Sequence, residues 1–346
     1  MRLPSRLVLS SLATVFVAAL LAAAPYHRAD FRVLRRIALG GSGSWDYVAI
    51  DTSGHRIFIA RQDRVMVVDQ STGHLVSEIT GLQRAHGIAF SYTDGKGFAT
   101  SGDDSTVTVF DLKTLRVLER TIAAPDADAV LFDAGTGRVF TFNGDSHSSS
   151  VLAAATGRKI GTVKLDGAPE FGVSDGAGKL YVNLEDVGAI EEIDARTLAV
   201  TRHWSIGPCE KPTGLAMDRQ HHRLFSGCRN KVMAISDAVQ GKVLTTVPID
   251  AGVDANAFDS ATQNAFSSNG AGTITVVHEV SPDSFTVIQT VQTMPGARTM
   301  ALDAQSHHIY TVSAKMGAAP AHATSANPDR RPPVLPGTFT LLELGP

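Results

Sequence analysis

The sequence predicts an all-β fold: a seven-bladed β-propeller with four-stranded antiparallel blades, in which an N-terminal strand closes the last blade. Three observations predict it. A strand–turn–strand pattern recurs seven times, each repeat is long enough for four short strands, and the first strand of the chain resembles the one that the last repeat lacks. Repeats of about 40 residues with short alternating strands are typical of propeller blades.

The repeated pattern joins a turn residue to an aromatic residue seven positions later. Residues 48–59 read V-A-I-D-T-S-G-H-R-I-F-I, which is an apolar strand, a polar turn and a second apolar strand. The seven pairs are Asp51 and Phe58, Ser91 and Phe98, Asp133 and Phe140, Ser174 and Tyr181, Asp218 and Phe225, Asp259 and Phe266, and Asp303 and Tyr310. We expect the acids to cap tight turns and the aromatic rings to pack between neighbouring blades.

Further strands complete each repeat. Residues 65–68, 107–110 and 190–193 each lead to an aspartate that begins a turn, and another alternating run follows. Residues 32–39 resemble the fourth strand of the second repeat, whereas the chain stops after a third strand at residues 338–344. The first strand should therefore complete the last blade, which would leave no open sheet edge.

Residues 1–24 have the features of a secretory signal peptide. Arg2 and Arg6 precede an apolar run over residues 7–21, and small residues follow it. This order of a basic segment, an apolar segment and small residues directs export. A cut after Ala22, or retention as an anchor, stays open. We expect the mature protein to be periplasmic or secreted.

Residues 25–346 are predicted to form one monomeric propeller domain. The chain is 43% hydrophobic and 19% charged, which is typical of a globular protein. Its formal net charge of −3 at pH 7 argues against a nucleic-acid partner. No later apolar run reaches the roughly 18 residues that span a bilayer, so we expect no integral membrane segment in the mature chain. Cys209 and Cys228 lie at strand ends on one face of the fifth repeat, and we expect them to form a disulfide.

Two motifs carry a family resemblance. Residues 65–73 contain V-x-V-x-D followed by T-G, and residues 140–143 and 181–183 come closest to Y-V-T-N in a second strand. From about Phe31 to its end the chain resembles the YVTN-repeat β-propeller family, particularly its secreted bacterial YncE-like members. The resemblance implies the fold and names no ligand. Related propellers include quinoprotein dehydrogenase subunits, so an oxidoreductase reaction is a possibility that the resemblance implies.

The candidate site is a ring of residues at the start of each first strand, where a propeller opens its central channel. Counting five residues back from the first member of each pair gives Asp46, His86, Asp128, Pro169, Thr213, Asp254 and Arg298. Immediate neighbours add Trp45, Asp126, Glu170, Cys209 and Glu210. The predicted ligand-binding residues are Trp45, Asp46, His86, Asp128, Glu170, Glu210, Asp254 and Arg298.

The chemistry of this ring suggests binding. Several carboxylates close together repel, so at least one pKa should rise unless a cation or Arg298 neutralises them. Oxygen ligands suit calcium or magnesium, and His86 would admit zinc or manganese. A divalent cation is therefore a candidate cofactor, although no closely spaced set of ligand residues in the sequence identifies the metal. The alternative is a solvated ring of turn residues and structural salt bridges.

The leading functional hypothesis is an exported propeller that binds a small ligand or a protein partner at the mouth without catalysis. The first alternative is a metal-assisted enzyme, an oxidoreductase or lyase-like activity, in which His86 or Glu170 moves protons. The second is a protein-interaction scaffold with an inert channel. The sequence lacks a phosphate loop, a nucleophile elbow, a haem motif and H-E-x-x-H, which weighs against an enzyme and leaves catalytic residues unknown.

Two other features lie apart from the ring. His221, His222, His307 and His308 fall in turns on the opposite face, and we interpret them as exposed turn residues. Residues 313–337 form an insertion in the last blade that is rich in alanine and proline, including Arg330, Arg331, Pro332 and Pro333. This insertion would either cover the mouth as a lid or stay flexible.

Overall fold

The computed structural model describes residues 30–323 and 332–346. Within these ranges the chain forms 28 strands, arranged as seven four-stranded antiparallel sheets. This confirms the predicted all-β, seven-bladed propeller. The described residues contain no helix long and apolar enough to cross a membrane. The predicted signal peptide lies outside the described residues.

The chain begins with β1 (Arg32–Ala38), and blades one to four follow in sequence order. Their strands are β2 (Val48–Asp51), β3 (Arg56–Arg61), β4 (Arg64–Asp69) and β5 (Leu75–Thr80); β6 (Ala85–Ser91), β7 (Lys96–Ser101), β8 (Thr106–Asp111) and β9 (Val117–Ile122); β10 (Ala127–Asp133), β11 (Arg138–Asn143), β12 (Ser148–Ala153) and β13 (Lys159–Lys164); β14 (Pro169–Ser174), β15 (Lys179–Leu184), β16 (Ala189–Asp194) and β17 (Ala199–Ser205).

Blades five to seven complete the ring. Their strands are β18 (Pro212–Asp218), β19 (Arg223–Cys228), β20 (Val232–Asp237) and β21 (Lys242–Pro248); β22 (Val253–Asp259), β23 (Asn264–Asn269), β24 (Thr273–Ser281) and β25 (Ser284–Gln292); β26 (Met300–Asp303), β27 (His308–Ser313) and β28 (Thr340–Gly345). The last sheet has the order β1-β28-β27-β26, so the first strand is the outer strand of the last blade. The predicted closure is confirmed.

The repeated residues have the expected structural roles. The backbone N–H of Gly54 donates to Oδ1 of Asp51 at 3.0 Å, which caps the turn between β2 and β3. Phe58 is fully buried, and its ring centroid lies 4.9 Å from that of Phe90 and 5.8 Å from that of Phe110 in the second blade. Interlocked rings of this kind hold neighbouring blades together and fix where each first strand begins.

Candidate functional site at the channel mouth

The first strands begin at one end of the channel with irregular pairing. The ladder between first and second strands shifts register at the start of β6, β10, β14, β18 and β22. A β-bulge breaks the alternation of side chains and re-aims those near it. Four of the predicted site residues lie within these irregular segments: His86, Asp128, Glu170 and Asp254.

Hydrogen bonds between neighbouring blades hold the backbone of the mouth. The hydroxyl of Thr299 in the last blade donates to the carbonyl of Asp46 in the first at 2.8 Å. The hydroxyl of Thr213 in the fifth blade donates in the same way to the carbonyl of Val253 in the sixth, at 2.9 Å. The backbone that carries the carboxylates is therefore held by hydrogen bonds between two neighbouring blades.

The mouth encloses a cavity of about 530 Å³. Four carboxyl groups, two guanidinium groups and one phenol line it, together with three small or aliphatic residues. The lining residues are Asp46, Tyr47, Asp128, Glu170, Arg229, Gly252, Val253, Asp254, Gly270 and Arg298. The volume falls in the range of about 300–1,000 Å³ that is usual for small-molecule sites.

His86 lies between two of these carboxylates and is only 9% exposed. Its Nδ1 atom contacts Oδ2 of Asp46 and lies 3.2 Å from Oδ1 of Asp128. A ring nitrogen carries at most one hydrogen, so it can donate to only one of them. The ligand atoms of these three residues lie within 4.8 Å of one another, which is close enough to hold a divalent cation.

Two arginines supply positive charge at the rim. Nε of Arg298 lies 2.6 Å from Oδ2 of Asp254, and its Nη2 lies 3.8 Å from Oδ1 of Asp46. Nε of Arg229 lies 3.1 Å from Oε1 of Glu185, and its Nη2 lies 4.0 Å from Oε1 of Glu170. The guanidinium groups therefore neutralise part of the carboxyl charge.

The remaining charge raises several pKa values. Burial raises the pKa of Asp128 well above its usual range, and the neighbouring carboxylates raise it further. The pKa of Glu170 is raised well above its usual range for the same two reasons, although Arg229 opposes them. Burial also raises the pKa of Asp254 despite Arg298, and that of the Tyr47 phenol well above its usual range. A bound cation would relieve this repulsion.

Five of the eight predicted ligand-binding residues line this cavity, and His86 contacts two of them, Asp46 and Asp128. Trp45 does not line the cavity: it is 5% exposed and packs on Phe339, with ring centroids 5.6 Å apart, in the core between the last and first blades. Glu210 does not line it either, because its side chain is exposed in the segment before β18. The apolar indole goes to the core, and the solvated carboxylate stays outside the ring.

The sequence interpretation missed two lining residues with polar side chains, Tyr47 and Arg229. Tyr47 directly follows Asp46, so it would have been found if the residue after each counted position had been included. Arg229 follows β19, in a loop between second and third strands that emerges on the same face. Its signal was a basic residue next to Cys228 at that strand end.

The predicted disulfide between Cys209 and Cys228 is present, with the two Cα atoms 5.4 Å apart. It joins the segment before β18 to the end of β19, beside the loop that carries Arg229. A disulfide is consistent with an oxidising compartment. It also restrains the segment from which the arginine reaches the mouth.

The insertion in the last blade folds back on itself at its base. Met316 and Val334 form an isolated antiparallel bridge, and the N–H of Leu335 donates to the carbonyl of Lys315 at 2.9 Å. None of the described residues of the insertion lines the mouth cavity. Arg330 and Arg331 lie outside the described residues, so the lid remains a prediction.

The interpretation of the remaining histidines needs a correction. His222 is exposed as expected, but the other three are partly buried and contact acids. Nδ1 of His307 lies 2.8 Å from Oδ2 of Asp259, and that of His308 lies 2.7 Å from Oε1 of Glu343. Packing explains both contacts, because Asp259 ends β22 of the neighbouring blade and Glu343 lies in β28, the strand that pairs with β27.

Fold and geometry together define a seven-bladed β-propeller with an acidic, partly neutralised channel mouth. The chain is similar to Kuenenia stuttgartiensis hydrazine synthase, with a TM-score of 0.69 and 14% sequence identity over 78% of this chain and 92% of that one. At this identity the likeness shows the fold alone. No protein-family model matches the chain, and no curated protein matches it significantly. The YVTN-repeat resemblance therefore stays a prediction.

Proposed function

We propose that the protein is an exported binding propeller that takes up a small, positively charged ligand at the mouth of its channel. One observation carries this proposal. Four carboxyl groups converge on one cavity of about 530 Å³, where Arg298 and Arg229 balance only part of their charge. A cation that enters the cavity replaces the repulsion among buried carboxylates with attraction.

An organic amine fits this cavity better than a lone metal ion. Glu170 and Asp254 line the cavity but lie outside the three-residue cluster that one ion could reach. A diamine has two charged groups that can contact carboxylates on separate blades, and one ammonium group can lie over the ring of Tyr47. The ligand class that matches both charge and volume is therefore a small organic amine with one or two charges.

A divalent cation at Asp46, His86 and Asp128 is the second candidate. The contact of one imidazole nitrogen with two carboxylates favours it, because a cation can bind all three ligand atoms where a proton cannot. Such an ion could also act as the Lewis acid of a metal-assisted reaction. The enzyme hypothesis therefore depends on this cluster.

Calorimetric titration of the chelator-treated protein separates the two candidates. We expect 1,4-diaminobutane to bind, and Glu170→Gln and Asp128→Asn each to weaken it by about tenfold, a loss of about 1.4 kcal/mol. Glu210→Gln is the matched control, since this acid is exposed and lies outside the cavity. His86→Ala should abolish binding of Mn²⁺ at the mouth but keep the diamine.

Two results would contradict the proposal. Diamine binding that is equally weak in Glu210→Gln would mean that net charge, and not the cavity, attracts the ligand. If the protein binds citrate and no cation, the ligand is negatively charged and not positively charged as proposed.

Export is part of the proposal and is supported by the disulfide between Cys209 and Cys228. It is tested by expressing the full chain and fractionating the cells. We expect the protein outside the cytoplasm with both cysteines oxidised, as thiol labelling would show. A reduced protein in the cytoplasmic fraction would remove this part of the proposal.

A further inference from the structure

We propose a second cation site, on the face opposite the mouth, in which Asp218, His221 and Glu279 bind a divalent transition-metal ion such as Zn²⁺. Asp218 ends β18, and His221 follows in the turn before β19. Glu279 comes from β24 in the next blade. The ion would therefore join the fifth and sixth blades.

The geometry of the three side chains supports this site. Nδ1 of His221 lies 2.7 Å from Oδ2 of Asp218 and 2.8 Å from Oε1 of Glu279. The ligand atoms all lie within 4.8 Å of one another. One imidazole nitrogen has at most one hydrogen to donate, so a proton cannot satisfy both carboxylates at once. A metal ion can bind all three.

The burial of Glu279 is the second, independent observation. Its side chain is 0% exposed, and neither carboxylate oxygen has a hydrogen-bond partner among the described residues. Burial of a carboxylate without partners destabilises the fold, and a bound cation would offset this cost. The carboxylate is therefore buried and aimed at Asp218 and at the imidazole of His221, whose Nδ1 atom lies 2.8 Å away.

The nearby Arg223 does not supply the missing partner. Its Nε donates to the carbonyl of Pro282 at 2.6 Å. Its two remaining nitrogens lie 3.0 Å from Oδ2 of Asp237 and 3.2 Å from Oδ1 of Asp283. The guanidinium is held by these groups, and its charge reaches Glu279 only at longer range.

Comparison between repeats shows that the acid at this position is specific to one blade junction. The backbone N–H of Glu279 donates to the carbonyl of Gln263, and five residues make the same bond in other blades. Those five residues are Gln70, Leu112, Ala154, Ala195 and Ala238. At the junction of the last and first blades, the amide of Gln70 donates to Oδ2 of Asp303 at 2.7 Å. At that junction, a neutral amide that donates to the carboxylate takes the place of the second acid.

The donor set indicates the class of metal. One imidazole nitrogen and two carboxylate oxygens suit Zn²⁺ or Mn²⁺, whereas Ca²⁺ and Mg²⁺ prefer oxygen ligands alone. His221 is 26% exposed and its two partners are buried, so water can complete the coordination from the side of the histidine. The site is thus open on one side.

The test is calorimetric titration of the chelator-treated protein with Zn²⁺. Glu279→Gln should weaken binding at this site by at least tenfold and keep the fold, because it reproduces the pairing of Gln70 with Asp303. His221→Ala is the second variant, and should weaken it equally. His307→Ala is the matched control: this turn histidine contacts only one carboxylate, that of Asp259, and its loss should leave Zn²⁺ binding unchanged.

Anomalous diffraction from crystals soaked in Zn²⁺ locates the ion directly. We expect a peak between Asp218 and Glu279 in the wild type and none there in Glu279→Gln. Equal Zn²⁺ stoichiometry in the wild type and in both site variants would overturn the inference. Asp128→Asn changes only the cluster at the mouth, so the peak between Asp218 and Glu279 should be retained in that variant. Loss of this peak in Asp128→Asn would mean that the two clusters are not independent sites and would overturn the inference.

Discussion

Arg298 binds Asp254 across the boundary between the sixth and seventh blades, with its Nε atom 2.6 Å from the carboxylate oxygen. The carboxylate is largely buried, with its side chain 16% exposed, whereas the arginine side chain is 40% exposed. The guanidinium therefore stabilises a charge that the fold has withdrawn from water. It also sets how much negative charge the mouth retains for a ligand.

Replacing this arginine should change stability and binding in opposite directions. We expect Arg298→Ala to lower the free energy of unfolding by about 1–3 kcal/mol, because Asp254 loses its partner. The same variant should bind 1,4-diaminobutane more tightly, since one positive charge leaves the cavity. Urea denaturation and calorimetry measure the two effects, and Arg298→Lys, which keeps the charge, is the control. Weaker diamine binding in Arg298→Ala would instead mean that the arginine contacts the ligand.

Glu170 should make the fold less stable as the pH rises. Burial and the nearby carboxylates raise its pKa in the folded state, so the folded protein holds the proton more tightly than the unfolded chain. Stability then falls as the pH rises from the ordinary value of 4.5 towards the raised pKa. In chelator, Glu170→Gln should raise the melting temperature at pH 7 by roughly 2 °C or more. This gain should vanish near pH 4.

The matched control for that variant is Glu185→Gln. This carboxylate lies 3.1 Å from Arg229 and is 27% exposed, so it already has a partner. Its replacement should leave the melting temperature unchanged or lower it. A stabilisation of equal size in both variants would point to net charge, and a gain in Glu170→Gln that persists at pH 4 would contradict the raised pKa.

The fold could be predicted from the sequence because a propeller repeats its local signals. Each blade places an acid or serine at a turn and an aromatic residue seven positions later, and Asp51 and Phe58 show why: one caps the turn and the other packs on the next blade. Closure was also predictable, since only the last repeat lacks a fourth strand. Local patterns were enough wherever the same contact recurs.

The candidate site was predictable only in part, because channel positions depend on which way a side chain turns. A count of five residues found Asp46 and Asp128. Residues 45–47 precede β2 and do not follow strand alternation, so their sequence does not show that Trp45 enters the core whereas Tyr47 lines the channel. Contacts across blade junctions could not be predicted from the sequence. His221 meets Glu279 only because two different blades pack together. Glu279 stands where five other blades have glutamine, leucine or alanine, but its sequence position alone does not show which side chain it contacts.

The disulfide should contribute to stability through the unfolded chain. Cys209 and Cys228 are 19 positions apart, and closing a loop of that size is worth about 3 kcal/mol in the entropy model. We expect the double variant Cys209→Ser, Cys228→Ser to lose about this free energy of unfolding in urea. Dithiothreitol should destabilise the wild type similarly and leave the double variant unchanged. An equal response of both proteins to the reductant would contradict a formed disulfide.

Glu343 joins the two ends of the chain, and its contribution should disappear in acid. This residue of β28 contacts Arg35 of β1, lies 2.7 Å from Nδ1 of His308, and accepts a hydrogen bond from the Tyr310 hydroxyl at 3.1 Å. Burial alone would raise its pKa, but the hydrogen bonds from Arg35 and His308 outweigh burial and lower it. A lowered pKa gives stability above the ordinary value of 4.5, and this stability is lost as the pH falls below it.

Glu343→Gln should therefore lower the free energy of unfolding in urea at pH 7 by about 1–2 kcal/mol, and the difference from wild type should narrow at pH 3.5. Glu78→Gln, which removes the surface pair with Arg64, is the control and should change the free energy of unfolding by less than about 0.5 kcal/mol. If Glu343→Gln loses the same free energy of unfolding at both pH values, packing and not ionisation of Glu343 stabilises the closure of the ring.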